Sequence, residues 1–237
     1  MYKEKVQITS LDVDSNLELK LSSLFKLMQL VASNHVGELK AGHLDLMKYN
    51  MLWVVIRMDV KIYRTPKLEE ELLFTTHPGE TKSFIFPRFF EIYDNKGNLI
   101  IAVSSLWTLI DKTTRKVVLK PDGFVKIKAE ENKDDLPAPE KISGEASNFV
   151  GTHKVRYTDI DLNGHFNNTS YIECILNTHD NSFYQKHRIS SFLINYDKEI
   201  RDGDTIELFS SGGSPEIIKG KVGEENRFTA QIEYEER

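Results

Sequence analysis

The same order of predicted secondary-structure elements occurs twice along this chain, and this repetition restricts the possible folds more than any other feature. Each half begins with a strand, continues with an amphipathic helix and ends with four strand-like runs. In the first half the strand covers 2–14, the helix covers 21–40, and the runs cover 52–64, 69–77, 82–93 and 99–110. In the second half the strand covers 148–158, the helix covers 168–184, and the runs cover 190–200, 204–211, 215–222 and 227–235. An internal duplication is the simplest explanation of this order.

A charged, proline-containing stretch over 126–147 separates the two halves and has almost no large apolar side chains. We therefore predict a first module over 1–125, a connector over 126–147 and a second module over 148–237. Within each half the strand runs follow one another with no helix between them, whereas parallel strands need long crossover connections. The sequence thus favours an α+β fold over a doubly wound α/β fold. A long helix beside several antiparallel strands, present twice, predicts two tandem hotdog modules, each an antiparallel sheet wrapped around a long helix.

Charge and apolar patterning exclude several classes of protein. The 237 residues carry 31 Lys and Arg against 36 Asp and Glu, a net charge of −5, which argues against nucleic acid as the main partner. The longest apolar run, Met51 to Ile56, is too short to cross a bilayer, so we expect no membrane insertion. The first residues lack the features of signal and transit peptides, and Cys174 is the single cysteine. We expect a cytoplasmic protein with no internal disulfide, no metal site and no cofactor.

The densest polar segment of the chain, 156–168, lies directly before the predicted second helix. Its Asp161, Asn163 and His165 alternate along the chain, so in an extended stretch their side chains would point to one side. Such a cluster of a carboxylate, an amide and an imidazole could carry acid–base chemistry. From the residues alone, a polar loop whose side chains only satisfy the backbone explains the segment equally well.

The start of the predicted helix adds a second feature to this segment. Gly164 permits a turn or a close approach of the backbone, and Asn167 or Asn168 could cap the helix. Unpaired backbone N–H groups at a helix N-terminus carry partial positive charge. They could therefore stabilise a carbonyl oxygen that gains negative charge during a reaction.

Residues 156–173, RYTDIDLNGHFNNTSYIE, closely resemble the signature of the acyl-(acyl carrier protein) thioesterases, a double-hotdog family of plants and bacteria. The family core D-x-N-x-H-x-N-N-x-x-Y-I is matched by Asp161, Asn163, His165, Asn167, Asn168, Tyr171 and Ile172. Weaker similarities occur at 34–36, 53–66, 102–121 and 196–199, so the resemblance extends over nearly the whole chain. The chain resembles a bacterial-type member of this family that has no transit peptide.

The resemblance implies that the chain hydrolyses the thioester between a fatty acyl chain and acyl carrier protein, which ends chain elongation. The positions that match the family's proposed catalytic set are Asp161, Asn163, His165 and Glu199. Backbone N–H groups of Gly164, Asn167 and Asn168 are the candidates for an oxyanion hole. Family members often have a cysteine after the glutamate, but this position is Ile200 here, so we expect carboxylate-assisted attack by water. Whether Glu199 acts as general base or as nucleophile stays open.

The resemblance also implies that the acyl chain lies in the first module, while the chemistry takes place on the second. We therefore expect side chains of the first helix and of the strand after it to bind the acyl chain. The candidates are Met28, Val31, Val54 and Ile56.

A basic turn in the first half is a candidate docking site for acyl carrier protein, which is acidic. Lys112, Arg115 and Lys116, followed by Lys120, stand close together in an otherwise acidic chain. Electrostatic attraction would steer an acidic partner towards this turn. A solvated turn without a partner is the alternative.

Two other functions fit a hotdog fold, namely an acyl-thioester hydratase and a protein that binds acyl thioesters without catalysis. The intact set formed by Asp161, Asn163, His165 and Glu199 argues against a non-catalytic protein. A hydratase would carry a differently spaced Asp/His pair at the helix start. The sequence leaves open the length and saturation of the acyl chain, activity on acyl-coenzyme A, and whether the protein is a monomer or a homodimer.

Overall fold

A computed structural model describes residues 1–119, 127, 129 and 136–237. In this part of the chain, strands form one ten-stranded antiparallel sheet that is accompanied by short and long helices. The elements of the first half are β1 (Tyr2–Gln7), α1 (Leu21–Glu38), α2 (His43–Met47), β2 (Met51–Ile62), β3 (Glu71–Pro78), β4 (Phe86–Tyr93) and β5 (Leu99–Asp111). The elements of the second half are β6 (Asn148–Lys154), α3 (Asn168–Leu176), α4 (Asn181–Lys186), β7 (His187–Tyr196), β8 (Thr205–Ser210), β9 (Glu216–Val222) and β10 (Glu225–Glu236).

The strand order makes the duplication visible. Across the sheet the order is β1-β3-β4-β5-β2-β7-β10-β9-β8-β6, so each half places its strands in the same sequence outward from the centre. This arrangement confirms the predicted α+β fold with two hotdog modules. The two modules share one sheet, because β2 and β7 pair antiparallel, with Met58 opposite Ile194 and Val60 opposite Phe192.

The helices and the sheet enclose one continuous apolar core. Helices α1 and α3 contact each other. Val31 of α1 and Ile172 of α3 are fully buried in the same cluster as Phe192 of β7 and Phe228 of β10. The apolar stripe of each helix is therefore buried against the sheet, as expected for amphipathic helices of this kind.

The predicted helix over 168–184 is wrong in its length, because two short helices, α3 and α4, occupy this region. Between them lies the polar run 177–180, and the Asp180 carboxylate accepts a hydrogen bond from the Phe183 N–H at 3.0 Å. Polar side chains that bond to nearby backbone compete with continuation of a helix. Because apolar residues continue at helical spacing as far as Phe183, the sequence predicted one uninterrupted helix. The second module therefore has a nine-residue α3 where the first has the 18-residue α1.

The N-terminal region also differs from the prediction. β1 ends at Gln7 rather than near residue 14, since Asp12 and Asp14 build turns after it. The Asp12 carboxylate accepts the Thr9 N–H at 2.9 Å, and the Asp14 carboxylate accepts the Asn16 N–H at 2.8 Å. The five-residue α2 is not predicted by the sequence, because it is too short to show a helical period.

Part of the predicted connector packs on the sheet. Residues 126, 128 and 130–135 lie outside the described residues. In the described part, Ile142 and Ala146 are buried, and Arg57 of β2 donates a hydrogen bond to the Pro139 carbonyl at 2.8 Å. The division into 1–125, 126–147 and 148–237 stays a prediction. Among the described residues, no helix combines the length and the apolar character needed to span a membrane.

Candidate active site

A tight turn from Asp161 to His165 forms the centre of the polar segment. The Asp161 Oδ1 atom accepts backbone N–H groups from Asn163 at 2.8 Å and from His165 at 3.0 Å. The Gly164 N–H donates to the Asp161 carbonyl at 3.0 Å, and Gly164 has a φ of +77°, which glycine adopts without strain. The segment is thus a turn, not the extended stretch in which all three side chains would share one side. Asp161 acts on the backbone and determines the shape of the turn.

Asp159 anchors this turn to the rest of the second half. Its Oδ2 atom lies 2.9 Å from His153 Nε2 on β6 and accepts the Arg156 N–H, also at 2.9 Å. Its carbonyl oxygen accepts the Asn167 N–H at 2.7 Å. The sequence does not indicate the pairing of His153 with Asp159, although the acidic residue three positions after Arg156 is a local signal for a backbone turn.

The start of α3 leaves one of the candidate N–H groups available. Asn167 is the N-cap residue, and its Oδ1 atom accepts the Thr169 N–H at 3.0 Å. The N–H groups of Gly164 and Asn167 donate hydrogen bonds to backbone carbonyl oxygens of the same loop. Within the described part of the chain, the N–H of Asn168 has no such partner. Of the three predicted oxyanion-hole residues, Asn168 is therefore the one with a free donor.

His165 and Glu199 are brought together by the tertiary structure. His165 Nε2 lies 3.0 Å from Glu199 Oε1, and the two side chains are only 16% and 25% exposed. The strand predicted over 190–200 would include Glu199, but β7 ends at Tyr196 and Glu199 lies in the loop after it. Arg227 donates to the Glu199 carbonyl at 3.1 Å and so fixes this loop. The Phe166 N–H donates to the Ile200 carbonyl at 3.2 Å, which ties the loop to the polar segment.

Two arginines surround the Glu199 carboxylate. Arg201 Nη2 lies 3.5 Å from Oε2, and Arg115 Nη2 lies 3.5 Å from Oε1. Arg115 Nη1 also contacts His165 Nε2. From sequence, Arg115 is expected to dock acyl carrier protein together with Lys112 and Lys116, with a solvated turn as the alternative. Both lysines are exposed, whereas Arg115 reaches the His165–Glu199 pair; Lys120 lies outside the described residues.

The surroundings of His165 favour the neutral imidazole. Burial lowers the pKa of His165 below its usual 6.5; the Glu199 and Asp161 carboxylates raise this pKa, and the Arg115 and Arg201 guanidinium groups lower it further. Burial disfavours the charged form of an imidazole, and the net effect here is a lowered pKa. His165 is therefore largely uncharged at neutral pH.

A cavity of 210 Å³ lies beside the turn and is built mainly by the first half. The second half contributes Asp161, Leu162, Asn163 and Asn168 to its wall. The apolar side chains from the first half include Ala32, Val36, Leu46, Trp53, Phe86 and Trp107. The Asn163 Oδ1 atom is buried and has no hydrogen-bond partner among the described residues. Polar side chains, among them Gln29, His43 and Arg88, complete the wall, so the cavity combines apolar and polar surface with the unpartnered Asn163 Oδ1 atom.

The residues predicted to bind the acyl chain occupy other places. Met28 and Val31 are buried in the core, and Val54 and Ile56 are half-buried on β2. Among the described residues, none of these four belongs to the wall of the 210 Å³ cavity. Their involvement in acyl-chain binding stays a prediction.

Cys174 is remote from solvent and poorly suited to act as a nucleophile. It is 2% exposed within α3, and burial raises the pKa of its thiol to about 12. The thiolate is the reactive form of cysteine, so a thiol with this pKa stays protonated at neutral pH. In the ranges that the structure describes, no group of three or more His, Cys, Asp or Glu side chains is arranged to hold a metal ion.

The contact between His165 and Glu199 predicts a change in the titration of His165. In the variant Glu199→Gln the imidazole loses a carboxylate that stabilises its charged form, so the pKa of His165 falls still further below 6.5. Titration of the imidazole protons by NMR measures this change. Glu207→Gln, which changes an exposed residue of β8, serves as the control and leaves the titration as it is in the unmodified protein. An unchanged or raised pKa in Glu199→Gln would contradict the contact.

Comparison with known proteins identifies the family. A model of the acyl-ACP thioesterase N-terminal domain matches residues 1–127, and a model of the C-terminal domain matches residues 143–235. Oleoyl-acyl carrier protein thioesterase 2, chloroplastic, from Arabidopsis thaliana is 24% identical over 254 residues, which cover 99% of this chain and 69% of that protein. Dodecanoyl-[acyl-carrier-protein] hydrolase, chloroplastic, from Cinnamomum camphora is 27% identical over 234 residues, which cover 91% of this chain and 61% of that protein.

Solved structures show the same architecture over the full length. The crystal structure of an acyl-ACP thioesterase from Bacteroides thetaiotaomicron superimposes with a TM-score of 0.84 at 26% identity, covering 98% of this chain and 97% of that one. The 12:0-ACP thioesterase from Umbellularia californica superimposes with a TM-score of 0.85 at 23% identity, covering 100% and 97%. Because the two family models together match most of both halves, this chain belongs to the acyl-ACP thioesterase family.

Proposed function

We propose that this protein hydrolyses the thioester of fatty acyl-(acyl carrier protein) and releases a free fatty acid. The observation that carries the proposal is a polar turn at the wall of an apolar cavity. Asn163 and Asn168 face that cavity, while His165 of the same turn contacts the Glu199 carboxylate. The names of the Arabidopsis and Cinnamomum relatives, a thioesterase and a hydrolase of acyl-carrier-protein thioesters, support this assignment.

The chemistry requires a nucleophile and a site for the oxyanion. The Glu199 carboxylate takes a proton from a water molecule, and the water oxygen attacks the thioester carbonyl carbon. The C–S bond then breaks and the free acid forms, and the proton held by Glu199 passes to the departing thiolate, which restores the carboxylate. A thiolate leaves readily, so protonation of the leaving group matters less than activation of water. Three quarters of the Glu199 side chain is shielded from solvent. The exposed quarter leaves the carboxylate within reach of a water molecule at the site.

The turn supplies the remaining groups. The free N–H of Asn168, at the N-terminus of α3, is the donor that we assign to the oxyanion. The Asn163 amide, which has an unengaged buried oxygen, orients the water or the thioester. His165 holds the Glu199 carboxylate at 3.0 Å, and Asp161 holds the turn through its two backbone hydrogen bonds.

The catalytic assignment predicts a sharp difference between variants. Glu199→Gln and Asn163→Ala each lower kcat at least about a hundredfold, the usual effect of removing a general base or an oriented polar group. Cys174→Ser stays within a few-fold of the unmodified enzyme, because the buried thiol takes no part. Release of free thiol from acyl carrier protein thioesters measures the rates, and Glu207→Gln is the matched carboxylate control. A folded but inactive Cys174→Ser variant would overturn the water mechanism.

We further propose that the 210 Å³ cavity receives the acyl chain. The apolar part of its wall, which includes Ala32, Val36, Trp53, Phe86 and Trp107, fits a fatty chain. Enlarging a wall residue, as in Ala32→Phe or Val36→Phe, shortens the space. Each buried methylene contributes about 0.8 kcal/mol, so a loss of two carbons shifts the preference about tenfold towards shorter chains.

A panel of thioesters of increasing chain length tests this shift. Leu30→Phe is the control, since Leu30 lies on the exposed side of the same helix α1. Val31→Phe tests the candidate chosen from sequence; because Val31 is fully buried in the core, we expect it to lower stability. If Ala32→Phe and Val36→Phe both fold and leave the chain-length profile unchanged, the acyl chain lies elsewhere.

We propose that Lys112 and Lys116 dock acyl carrier protein, because both are exposed on the turn that follows β5. The double variant Lys112→Glu/Lys116→Glu raises KM for the carrier substrate, most strongly at low salt, where charge attraction is least screened. A control double variant, Lys3→Glu/Lys96→Glu, makes the same change in net charge at exposed positions elsewhere. An equal rise in KM for both double variants would point to net charge rather than to docking.

The cytoplasmic location and the monomeric or homodimeric state stay predictions.

A further inference from the structure

We infer that Arg115 of the first half is a positioning residue for the His165–Glu199 pair of the second half, so that both modules build one active site. The inference rests on the proposed thioesterase function. Arg115 Nη1 contacts His165 Nε2, and Arg115 Nη2 lies 3.5 Å from Glu199 Oε1. One guanidinium thus touches both members of the pair. Arg115 acts through these two side chains, and no contact with the substrate is assigned to it.

The sheet explains how a first-half residue reaches this place. β5 and β7 each pair antiparallel with β2, so they run in the same direction, and both end towards the first half of β2, where Asp111 lies opposite Met51 and Asn195 lies opposite Arg57. Arg115 follows the end of β5 and Glu199 follows the end of β7. Strands two positions apart are separated sideways by about 10 Å, and the loops after β5 and β7 bring the side chains of Arg115 and Glu199 across this gap to 3.5 Å.

The turn that carries Arg115 is held firmly. The Asp111 carboxylate accepts the N–H groups of Thr113 at 3.0 Å and Thr114 at 2.6 Å, and the Asn50 amide donates to it at 3.0 Å. The Arg115 N–H donates to the Asp111 carbonyl at 2.9 Å. Arg115 itself has a φ of +59°, in the left-handed region that residues other than glycine rarely occupy. Such conformations are found where the surrounding structure requires them, frequently at functional sites.

The chemistry of the three groups gives Arg115 a definite role. His165 Nε2 has one hydrogen-bonding position, so it either donates to Glu199 or accepts from Arg115, and never does both at once. The arginine keeps its proton and charge at every working pH. It therefore attracts the Glu199 carboxylate and disfavours a second positive charge on His165, which lowers the pKa of that imidazole. The charged groups that face the imidazole are Glu199, Asp161, Arg115 and Arg201, and Arg115 is the one among them from the first half.

A role in docking predicts a different behaviour from a role in positioning. A docking residue would affect KM for the carrier substrate alone, and salt would weaken its effect. A positioning residue affects kcat for every thioester, with or without the carrier, because the reacting groups themselves are displaced. About a third of the Arg115 side chain is exposed, so a bound carrier could contact it. Kinetic measurements therefore have to separate the two roles.

The kinetic test uses Arg115→Gln and Arg115→Lys with a small acyl thioester that lacks the carrier. We expect Arg115→Gln to lower kcat at least about tenfold with little change in KM, and Arg115→Lys to recover part of the loss, since lysine keeps the charge without the planar fork. Arg115 lowers the pKa of His165, so its removal in Arg115→Gln raises this pKa. The acid limb of the plot of kcat against pH therefore moves to higher pH. Lys96→Gln, on the turn at the other end of β5, is the matched control. A loss confined to KM for the carrier substrate and abolished by salt would overturn the inference.

A second measurement needs no substrate and separates the inference from the proposed function. NMR titration of His165 in Arg115→Gln, with folding verified by thermal unfolding, moves the imidazole midpoint to higher pH; Glu199→Gln moves it to lower pH. If the unmodified protein cleaves no thioester, the proposed function fails while the titration still tests the contact. If the midpoint in folded Arg115→Gln equals that of the unmodified protein, the inference fails even when the unmodified enzyme is active.

Discussion

Pairing between β2 and β7 turns two five-stranded sheets into one, and the core and the candidate site both depend on this pairing. A strand edge left open in the middle of the molecule would expose a row of unpaired backbone groups. Closing it buries Met58, Val60, Phe192 and Ile194 on one face. On the other face, Lys61 donates to the Ser191 hydroxyl across the junction at 2.9 Å. Side chains of α1 and α3 are then buried in a single core to which both modules contribute.

The two duplicated halves contribute different parts of the candidate site. The second half carries the polar turn from Asp161 to His165, and the first half has no counterpart of that motif in its sequence. The first half instead provides most of the wall of the cavity and the longer helix α1. In the proposed function, one half binds the apolar part of the substrate and the other acts on its polar end. Arg115 connects the two, since it leaves the first half and touches His165 and Glu199 in the second.

Burial gives the polar groups of the site their properties. Removal from water lowers the pKa of His165 and raises the pKa of the Cys174 thiol. The same physical effect therefore keeps an imidazole neutral and a thiol unreactive, because burial disfavours the charged form of either group. The guanidinium groups of Arg115 and Arg201 each lie 3.5 Å from the Glu199 carboxylate. The positive charges at this site thus come from two separate segments of the chain, the turn after β5 and the loop after β7.

The sequence by itself determined the features that depend on neighbouring residues. The repeated order of elements, the period of α1, the turn at Gly164 and the cap at Asn167 follow from local backbone preferences and apolar spacing, and the structure contains all of them. The family resemblance added Glu199 to the candidate set. Local patterns failed where two tendencies competed, as in the break between α3 and α4, where apolar spacing predicted one helix and polar side chains ended it.

Only the tertiary structure decided which distant residues meet. The sequence shows Arg115 as a member of a basic turn, and its place beside His165 and Glu199 follows from the shared direction of β5 and β7. The wall of the cavity is likewise a property of packing, so Val36 belongs to it while the equally apolar Val31, five positions earlier on the same helix, lies in the core. Helical spacing predicts which face of a helix carries an apolar side chain. Whether that face packs against other side chains or borders a cavity depends on the neighbouring elements. Contacts between residues far apart in sequence have no local signal, because their free energy is gained only once the whole sheet has formed.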